Sequence, residues 1–443
     1  MLLTPVASYA LSLGFEGQLN AVGSDNVGQD LPGDEETGSS GNIQLGVFGE
    51  QRGRIVSGGF LGEIISNRDI EDEDAEFNTF TNFLGALNFQ FTPSFSWYIG
   101  NVIGGVREDN ALVPGDDFDL TRRNIFATGP TYLHELSSFS FIQTDILYIS
   151  QTEEDQQLDQ VINGRIRYQR DAGTANSWGL ELIDNYIDNT EDDDAPDTNR
   201  LSLSAFFERE RGRYTYTGAV GSTRYDTDDE SVADFSARLG FRQQLGPKTA
   251  WSLDLNRDLL DQTLSTIDSF LDQGSGVEPE TEGVFQETRL TAAYEFLGTN
   301  TTFDIGASVA QSDFEFLNAT GADANLEDQL QSSVFAVYQR DFNSRLSNET
   351  TLSYEVQEYD NRVDSNNSVL ATTTFNYRLT RSLELALGYR FNQADGVETN
   401  FDGGTAVLAD VDYTENRATI GIIWAPPTRA SREPIVALRQ LLQ

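Results

Sequence analysis

Residues 382–392 alternate large apolar side chains with polar, charged or small ones. The odd positions are all large and apolar: Leu383, Leu385, Leu387, Tyr389 and Phe391. A period of two residues places the two sets on opposite faces of a β-strand. Residues 369–379 alternate in the same way, and only Thr380 and Arg381 separate the two segments. The pair therefore predicts two long antiparallel strands joined by a tight turn.

Segments of this kind recur along the whole chain, and the connections between them differ in a regular way. Short connections such as Thr92–Ser94 and Gly246–Lys248 alternate with long acidic ones such as Asp25–Ser40. We expect about twenty strands, with a range of roughly 18–22. An even number of strands puts both termini of the chain on the same side, that of the short turns. The pattern predicts an all-β fold, a transmembrane antiparallel up-and-down β-barrel with short periplasmic turns and long acidic extracellular loops.

The chain ends divide it into three parts. Leu2–Ala7 are mostly apolar and precede Ser8-Tyr9-Ala10, which resembles a cleavage site, so residues 1–10 are interpreted as the remnant of an export signal or a disordered start. Residues 11–424 form the expected outer-membrane barrel. Pro426 and Pro427 end the last strand, because proline cannot donate to a sheet. Residues 425–443 are expected to form a periplasmic tail.

Composition excludes several other classes of protein. The 443 residues carry a formal net charge of -42, and a surface so acidic does not bind nucleic acid phosphates. No run of 18 apolar residues exists, so the sequence predicts no transmembrane helix. Only 38% of the residues are hydrophobic, which suits a barrel in which alternate residues face lipid. A soluble all-β repeat protein would instead present polar side chains on its outer face.

The face opposite the apolar one is expected to line the lumen. Ten positions on this face are candidate lumen residues: Arg167, Phe206, Arg238, Arg242, Asp254, Arg289, Glu295, Arg378, Glu384 and Arg390. Charges of both signs could pair across a water-filled space or simply fill the interior by cross-strand pairing. Barrels of 16–18 strands already enclose an aqueous channel, so a pore is expected unless a loop or tail plugs it.

The longest loop, 259–283, contains apolar residues at helical spacing. Leu260, Leu264, Ile267 and Leu271 could form a short helix that folds into the lumen as a constriction. They could equally extend the flanking strands above the membrane.

Catalytic, cofactor and confident metal sites are not expected. The single histidine, His134, lies in a predicted periplasmic turn, so no base is available at the outer rim to activate a serine. Acidic runs such as Glu71–Asp74 and Asp192–Asp194 could bridge to lipopolysaccharide phosphates through Ca²⁺ or Mg²⁺. None has the spacing of a defined calcium loop, and solvation of the loops explains the runs equally well.

Three segments resemble one family. Asn124–Pro130, the Asp412–Gly421 segment after Gly388-Tyr389-Arg390, and Ser24-Asp25-Asn26 are similar to structural segments of the outer-membrane β-barrel porins that accompany exopolysaccharide and PEP-CTERM (exosortase) gene systems. The resemblance implies a bacterial outer-membrane protein tied to polysaccharide secretion, with exopolysaccharide and periplasmic secretion components as partners beside outer-membrane lipid and lipopolysaccharide. The tail after Trp424 departs from the family pattern.

The sequence therefore predicts a non-enzymatic, water-filled pore associated with exopolysaccharide secretion. A general diffusion porin that prefers cations shares the same features, because acidic loops concentrate cations at the mouth. A plugged barrel with a structural or adhesive role is the third alternative. Inward hydroxyl and amide side chains such as Ser202, Thr217 and Asn376 suit a sliding sugar chain.

Overall fold

The computed structural model describes most of the chain. The described residues are 12–26, 37–70, 78–107, 120–153, 156–173, 175–189, 197–227, 231–261, 276–277, 284–316, 328–359, 365–402, 405–410 and 412–426. Within them the regular structure consists of strands, and none of the described residues belongs to a helix that could cross a membrane.

Twenty long strands form a closed antiparallel barrel, which confirms the predicted fold and strand number. Their bounds in chain order are β1 Ser12–Ser24, β2 Gly38–Arg52, β3 Val56–Asp69, β4 Asn78–Thr92, β5 Phe95–Arg107, β6 Leu120–Ser137, β7 Ser140–Glu153, β8 Gln156–Asp171, β9 Asn176–Asn189, β10 Thr198–Arg211, β11 Tyr214–Thr227, β12 Ser231–Gly246, β13 Thr249–Asp261, β15 Val284–Leu297, β16 Thr301–Phe316, β17 Gln329–Asp341, β18 Leu346–Tyr359, β19 Ser365–Arg378, β20 Leu383–Asp395 and β23 Tyr413–Trp424. Three short strands lie in the loops: β14 Gly276–Val277, β21 Val397–Asp402 and β22 Thr405–Asp410.

The barrel closes where the first strand pairs with the last. Leu19 is opposite Ile422, and Ala21 is opposite Ile420, so the two-residue period continues across the closure without a change of face. Each remaining barrel strand pairs with its neighbours in sequence, apart from the connections that contain the short strands. Closure removes both sheet edges and pairs the backbone groups that a membrane could not hydrogen-bond.

One face of every barrel strand points outward to the surroundings. Large apolar side chains on this face stay exposed, with Leu19 at 54% and Leu45 at 58% exposure. The alternate side chains lie on the concave face, where neighbouring strands crowd them and most are half-buried or buried. The alternation of the sequence therefore distinguishes the lipid-facing from the inward positions.

The two ends of the barrel differ as expected. Turns of a few residues, such as 93–94 and 212–213, join strands at one end, where β1 also begins and β23 ends. The longer connections lie at the opposite end. One expectation was wrong in detail: His134 lies within β6, because this strand runs on to Ser137. It stacks on Tyr132 on the outward face, with ring centroids 6.3 Å apart.

Candidate functional site

All ten candidate lumen residues lie on the inward face of the barrel. Their strand positions follow from the register: Arg167 on β8, Phe206 on β10, Arg238 and Arg242 on β12, Asp254 on β13, Arg289 and Glu295 on β15, Arg378 on β19, and Glu384 and Arg390 on β20. They do not form one cluster. Six of them take part in ion pairs at separate places on the wall: Arg167, Arg242, Arg289, Glu295, Arg378 and Glu384.

Two of these pairs lie toward the short-turn end. The Arg242 guanidinium donates from both Nη atoms to the Glu295 carboxylate, at 2.8 and 2.5 Å. Arg378 lies 3.8 Å from Glu384, a looser pair. The arginine side chains remain 48% and 56% exposed, although both point into the barrel. Exposure of this size on the concave face means that solvent space reaches this part of the lumen.

Arg289 and Asp254 complete this side of the lumen. Arg289 donates to Glu287 at 3.0 and 2.8 Å, and its side chain is 45% exposed. Asp254 faces Gly240, where an added Cβ would come within 2.9 Å of the carboxylate and 2.3 Å of the Thr217 hydroxyl. Glycine at this position therefore leaves room for two polar side chains that point into the lumen.

A denser charged cluster lies on the inner wall of β8–β10. Arg165 donates to Glu181 at 2.9 Å, and Arg167 lies 3.6 Å from the same carboxylate. The Arg167 guanidinium also stacks 4.1 Å above the Phe206 ring. Phe206 in turn covers Gly179, where a Cβ would come within 2.6 Å of the ring. The cation–π contact fixes Arg167 in place, so this cluster is more rigid than the exposed pairs.

The sequence did not predict that part of the inner wall is apolar. Nine inward residues of β4–β9 pack into one buried cluster: Ala86, Tyr98, Val102, Ile125, Ala127, Leu147, Ile149, Val161 and Ile187. None is more than 6% exposed. Each of them lies beside an apolar outward residue in sequence, as Val161 lies beside Ile162, and these consecutive apolar residues are the signal that could have revealed the cluster. We call this group the apolar wall.

A buried ion pair borders the apolar wall toward the long-loop end. Arg123 is only 1% exposed, and its Nε donates to Glu153 at 2.8 Å on the neighbouring strand. A charge at this depth requires such a partner. Arg200 and Asp258 form a second partly buried pair at 2.9 Å, between β10 and β13. Asp258 also accepts a hydrogen bond from Thr223 at 2.9 Å, so side chains of β10, β11 and β13 meet on the inner face.

Part of the connection between β13 and β15 lies on the far side of the barrel from these two strands. Its short strand β14 pairs in parallel with β5, with Gly276 opposite Val106 and Val277 opposite Arg107. In a twenty-stranded wall, β5 lies nearly opposite β13 and β15. Leu260 belongs to β13, whereas Leu264, Ile267 and Leu271 lie outside the described residues, so the predicted helix there is not tested.

Two of the segments that carry the family resemblance meet at the barrel closure. The Ser24 hydroxyl donates to Glu415 at 2.7 Å, and the Asp25 carboxylate accepts from the backbone and side chain of Asn416 at 2.6 and 2.8 Å. Glu415 is fully buried and also accepts from Arg417 at 2.8 Å. We call these five residues the seam cluster. The two motifs are thus structural parts of one closure.

The third resembling segment lies on β6. Thr128 donates to the Tyr98 carbonyl at 2.9 Å and accepts from the Trp97 indole at 2.9 Å. Gly129 has no room for a side chain, because a Cβ would come within 1.8 Å of the Ile146 carbonyl. Pro130 sits on the outward face opposite Trp97. The motif therefore shapes the wall and carries no chemistry of its own.

The expected metal bridges remain untested. Over the described strands and turns, no three His, Cys, Asp or Glu side chains are arranged to hold a metal ion. Glu71–Asp74 and Asp192–Asp194 lie outside the described residues. Bridging to lipopolysaccharide through Ca²⁺ or Mg²⁺ stays a prediction.

Comparison with known proteins finds similar solved structures but no matching family. No protein-family model matches the chain, and no curated protein matches it. Among solved structures, the FrpB iron transporter of Neisseria meningitidis in its apoprotein form is similar with a TM-score of 0.55 and 9% identity, covering 93% of this chain and 81% of that one. The siderophore receptor PirA of Pseudomonas aeruginosa has a TM-score of 0.48 at 12% identity, covering 93% and 80%. OccAB4 of Acinetobacter baumannii has a TM-score of 0.42 at 10% identity, covering 95% and 100%. At these identities the likeness shows the fold alone, and the chain has the fold of an outer-membrane β-barrel.

Proposed function

We propose that this protein is a non-enzymatic, water-filled pore in the bacterial outer membrane. The observation that supports this most directly is the exposure of inward charged side chains. Arg242, Arg289 and Arg378 point into the barrel yet keep about half of their surface free. Long charged side chains stay solvated only where water fills the space beside them. The girth of a twenty-stranded barrel supplies that space.

The outward face supports residence in a membrane. Apolar side chains such as Leu203 and Ile422 are about half exposed on every side of the barrel. A protein with an apolar band all around its outer face would aggregate in water. Purified protein should therefore need detergent and should migrate faster on a detergent gel before boiling than after it. Extraction without detergent would contradict membrane residence.

We further propose that the pore prefers cations. Seventy-one acidic residues oppose 29 basic ones, and a field of this sign raises the local concentration of cations at the mouth. Reversal potentials in planar bilayers should show cation preference at low salt that weakens as salt screens the charges. A barrel that does not conduct would favour the plugged structural or adhesive alternative instead.

The solute that we propose is an exopolysaccharide, with a general diffusion porin as the alternative. The family resemblance motivates this proposal, and the inward hydroxyl and amide positions are compatible with it. Ser202, Ser204, Thr372 and Asn376 all lie on the inward face, where weak hydrogen bonds would let a sugar chain slide. Deletion of the gene should reduce surface polysaccharide. Unchanged polysaccharide with slower uptake of small solutes would favour the general porin.

A further inference from the structure

A row of aromatic side chains lies on the outward face at the short-turn end of β11–β13. Tyr214 stacks on Tyr216 with ring centroids 6.3 Å apart, and Tyr216 and Trp251 both contact Phe241, at 5.2 and 5.0 Å. The Trp251 indole donates to Gln243 at 2.9 Å. Aromatic rings with polar tips prefer the depth of lipid headgroups. This row therefore marks the level of the interface.

Arginines stand beside this row on the same outward face. Arg211 is the register partner of Tyr214, Arg209 that of Tyr216, and Arg170 that of Trp178. Register partners have Cβ atoms about 5 Å apart. The three guanidinium groups therefore extend over a common surface that runs from β8 to β11.

These arginines differ from the paired arginines inside the barrel, such as Arg242, because they have no acidic partner among the described residues. Arg170, Arg209 and Arg211 are exposed, and within the described part of the chain none makes a side-chain hydrogen bond or an ion pair. The alternation explains this. Glu208 and Glu210 are the sequence neighbours of Arg209, and they therefore point to the opposite face of β10. A chain with a net charge of -42 thus presents a locally basic surface next to its aromatic row.

We infer that Arg170, Arg209 and Arg211 bind the phosphate of an anionic phospholipid from the periplasmic leaflet. The guanidinium fork matches two phosphate oxygens, which an ammonium cannot do. Below the headgroup, Phe207 lies over Gly218, where a Cβ would come within 2.2 Å of the ring. That contact leaves a flat apolar surface along which an acyl chain can lie. The inference rests on the proposed membrane residence and is independent of the pore.

The test compares lipid retention by two matched double variants. Arg209→Gln with Arg211→Gln removes two charges from the basic surface. Arg340→Gln with Arg345→Gln removes two from the same end of the barrel, in the β17–β18 sector. Each protein is purified in detergent and titrated with phosphatidylglycerol and phosphatidylethanolamine, and bound lipid is counted by native mass spectrometry. Heat-modifiable migration verifies that each variant folds.

We expect the first variant to bind phosphatidylglycerol about tenfold more weakly, because it loses a charge-assisted phosphate contact. The second variant should bind as the parent does. The first should lose less affinity for phosphatidylethanolamine than for phosphatidylglycerol, because the headgroup ammonium offsets the charge of the phosphate. Equal losses in both variants would mean diffuse charge attraction and would overturn the site. No loss in either would overturn it too, as would full competition by inorganic phosphate or preferential retention of lipopolysaccharide.

Discussion

Two parts of the inner wall of this barrel have opposite character. The apolar wall on β4–β9 is packed, and residues such as Val102 and Val161 are 1% exposed. The wall of β12–β20 carries ion pairs, and Arg378 is 56% exposed there. Both walls are the inward faces of similar strands in one closed sheet. The difference shows that barrel geometry alone does not make a lumen wet.

The contrast divides the interior into a packed apolar part and a charged part with exposed side chains. Apolar side chains that are almost fully buried stabilise the barrel by keeping water out of one side. Charged side chains that stay solvated keep the other side open. We therefore expect ions and solutes to pass along β12–β20, and substitutions to affect stability on one wall and permeation on the other.

The largest effect should come from placing a charge in the apolar wall. Val161 lies between Ile149 and Ile187 in register, so Val161→Asp would bury a carboxylate that has no partner. We expect a loss of about 4 kcal/mol in the free energy of unfolding. The temperature at which the compact gel band disappears measures it. Thr372→Asp, on the inward face of β19, is the control, and equal destabilisation there would remove the distinction between the walls.

The next effect should come from the β13–β15 connection. Because β14 pairs with β5 on the far side of the barrel, replacing residues 264–281 by a short glycine-serine linker should raise single-channel conductance. The hairpin of β21 and β22 pairs only with itself, so shortening 398–409 is the matched control. If both deletions change conductance equally, β14 has no special role at the mouth.

A smaller effect is expected from the arginines of the open wall. Substituting glutamine for Arg242, Arg289 and Arg378 removes three exposed positive charges from the conducting side. Cation preference should increase severalfold at about 0.01 M salt, where the Debye length is about 30 Å, and little at about 1 M, where it is about 3 Å. Arg165→Gln in the rigid cluster should change the reversal potential less. An equal change would place permeation along both walls.

The smallest effect should be a pH dependence at the mouth beside β20. The Asp412 carboxylate raises the pKa of Asp395 through its charge and a hydrogen bond. The pair therefore keeps a proton at pH values where an isolated aspartate has lost it. Its stabilising contribution is present in acid and is lost as the pH rises through the raised pKa. As the pH is lowered, protonation of this pair should reduce the cation preference. Asp412→Asn should move this reduction to lower pH, which reversal potentials measured at stepped pH would show. An unchanged titration would place the pair away from the permeation pathway.

The sequence predicted the wall of the barrel well because the two-residue period is a direct consequence of strand geometry. Leu19, Leu45 and Ile422 are exposed on the outer face because successive side chains of a strand point to opposite faces, and the same alternation identified them in the sequence. Long strands in which one face must be apolar leave little freedom in register. The same argument placed charged residues such as Arg242 on the inward face.

What the sequence did not predict depends on contacts between distant segments. The apolar wall combines Ala86 with Ile187, and β14 pairs with β5 although 170 positions separate Gly276 from Val106. His134 was expected in a turn because Leu133 looked like the end of the alternation, but pairing with β7 extends β6 beyond it. Consecutive apolar residues mark the positions of the apolar wall, but the pattern does not show which strands pack together, and the extension of β6 leaves no clear periodic signal.

The seam cluster has a consequence for assembly. Ser24 and Glu415 are separated by 391 positions in sequence, so their hydrogen bond can form only after almost the whole chain is available. Closing so long a loop costs entropy before the contact repays it, and contacts of this kind form slowly. Until then β1 and β23 are open sheet edges, which invite pairing with other chains. Closure should accordingly be the last step of folding, and the interval before it is when these two edges are most open to pairing with other chains.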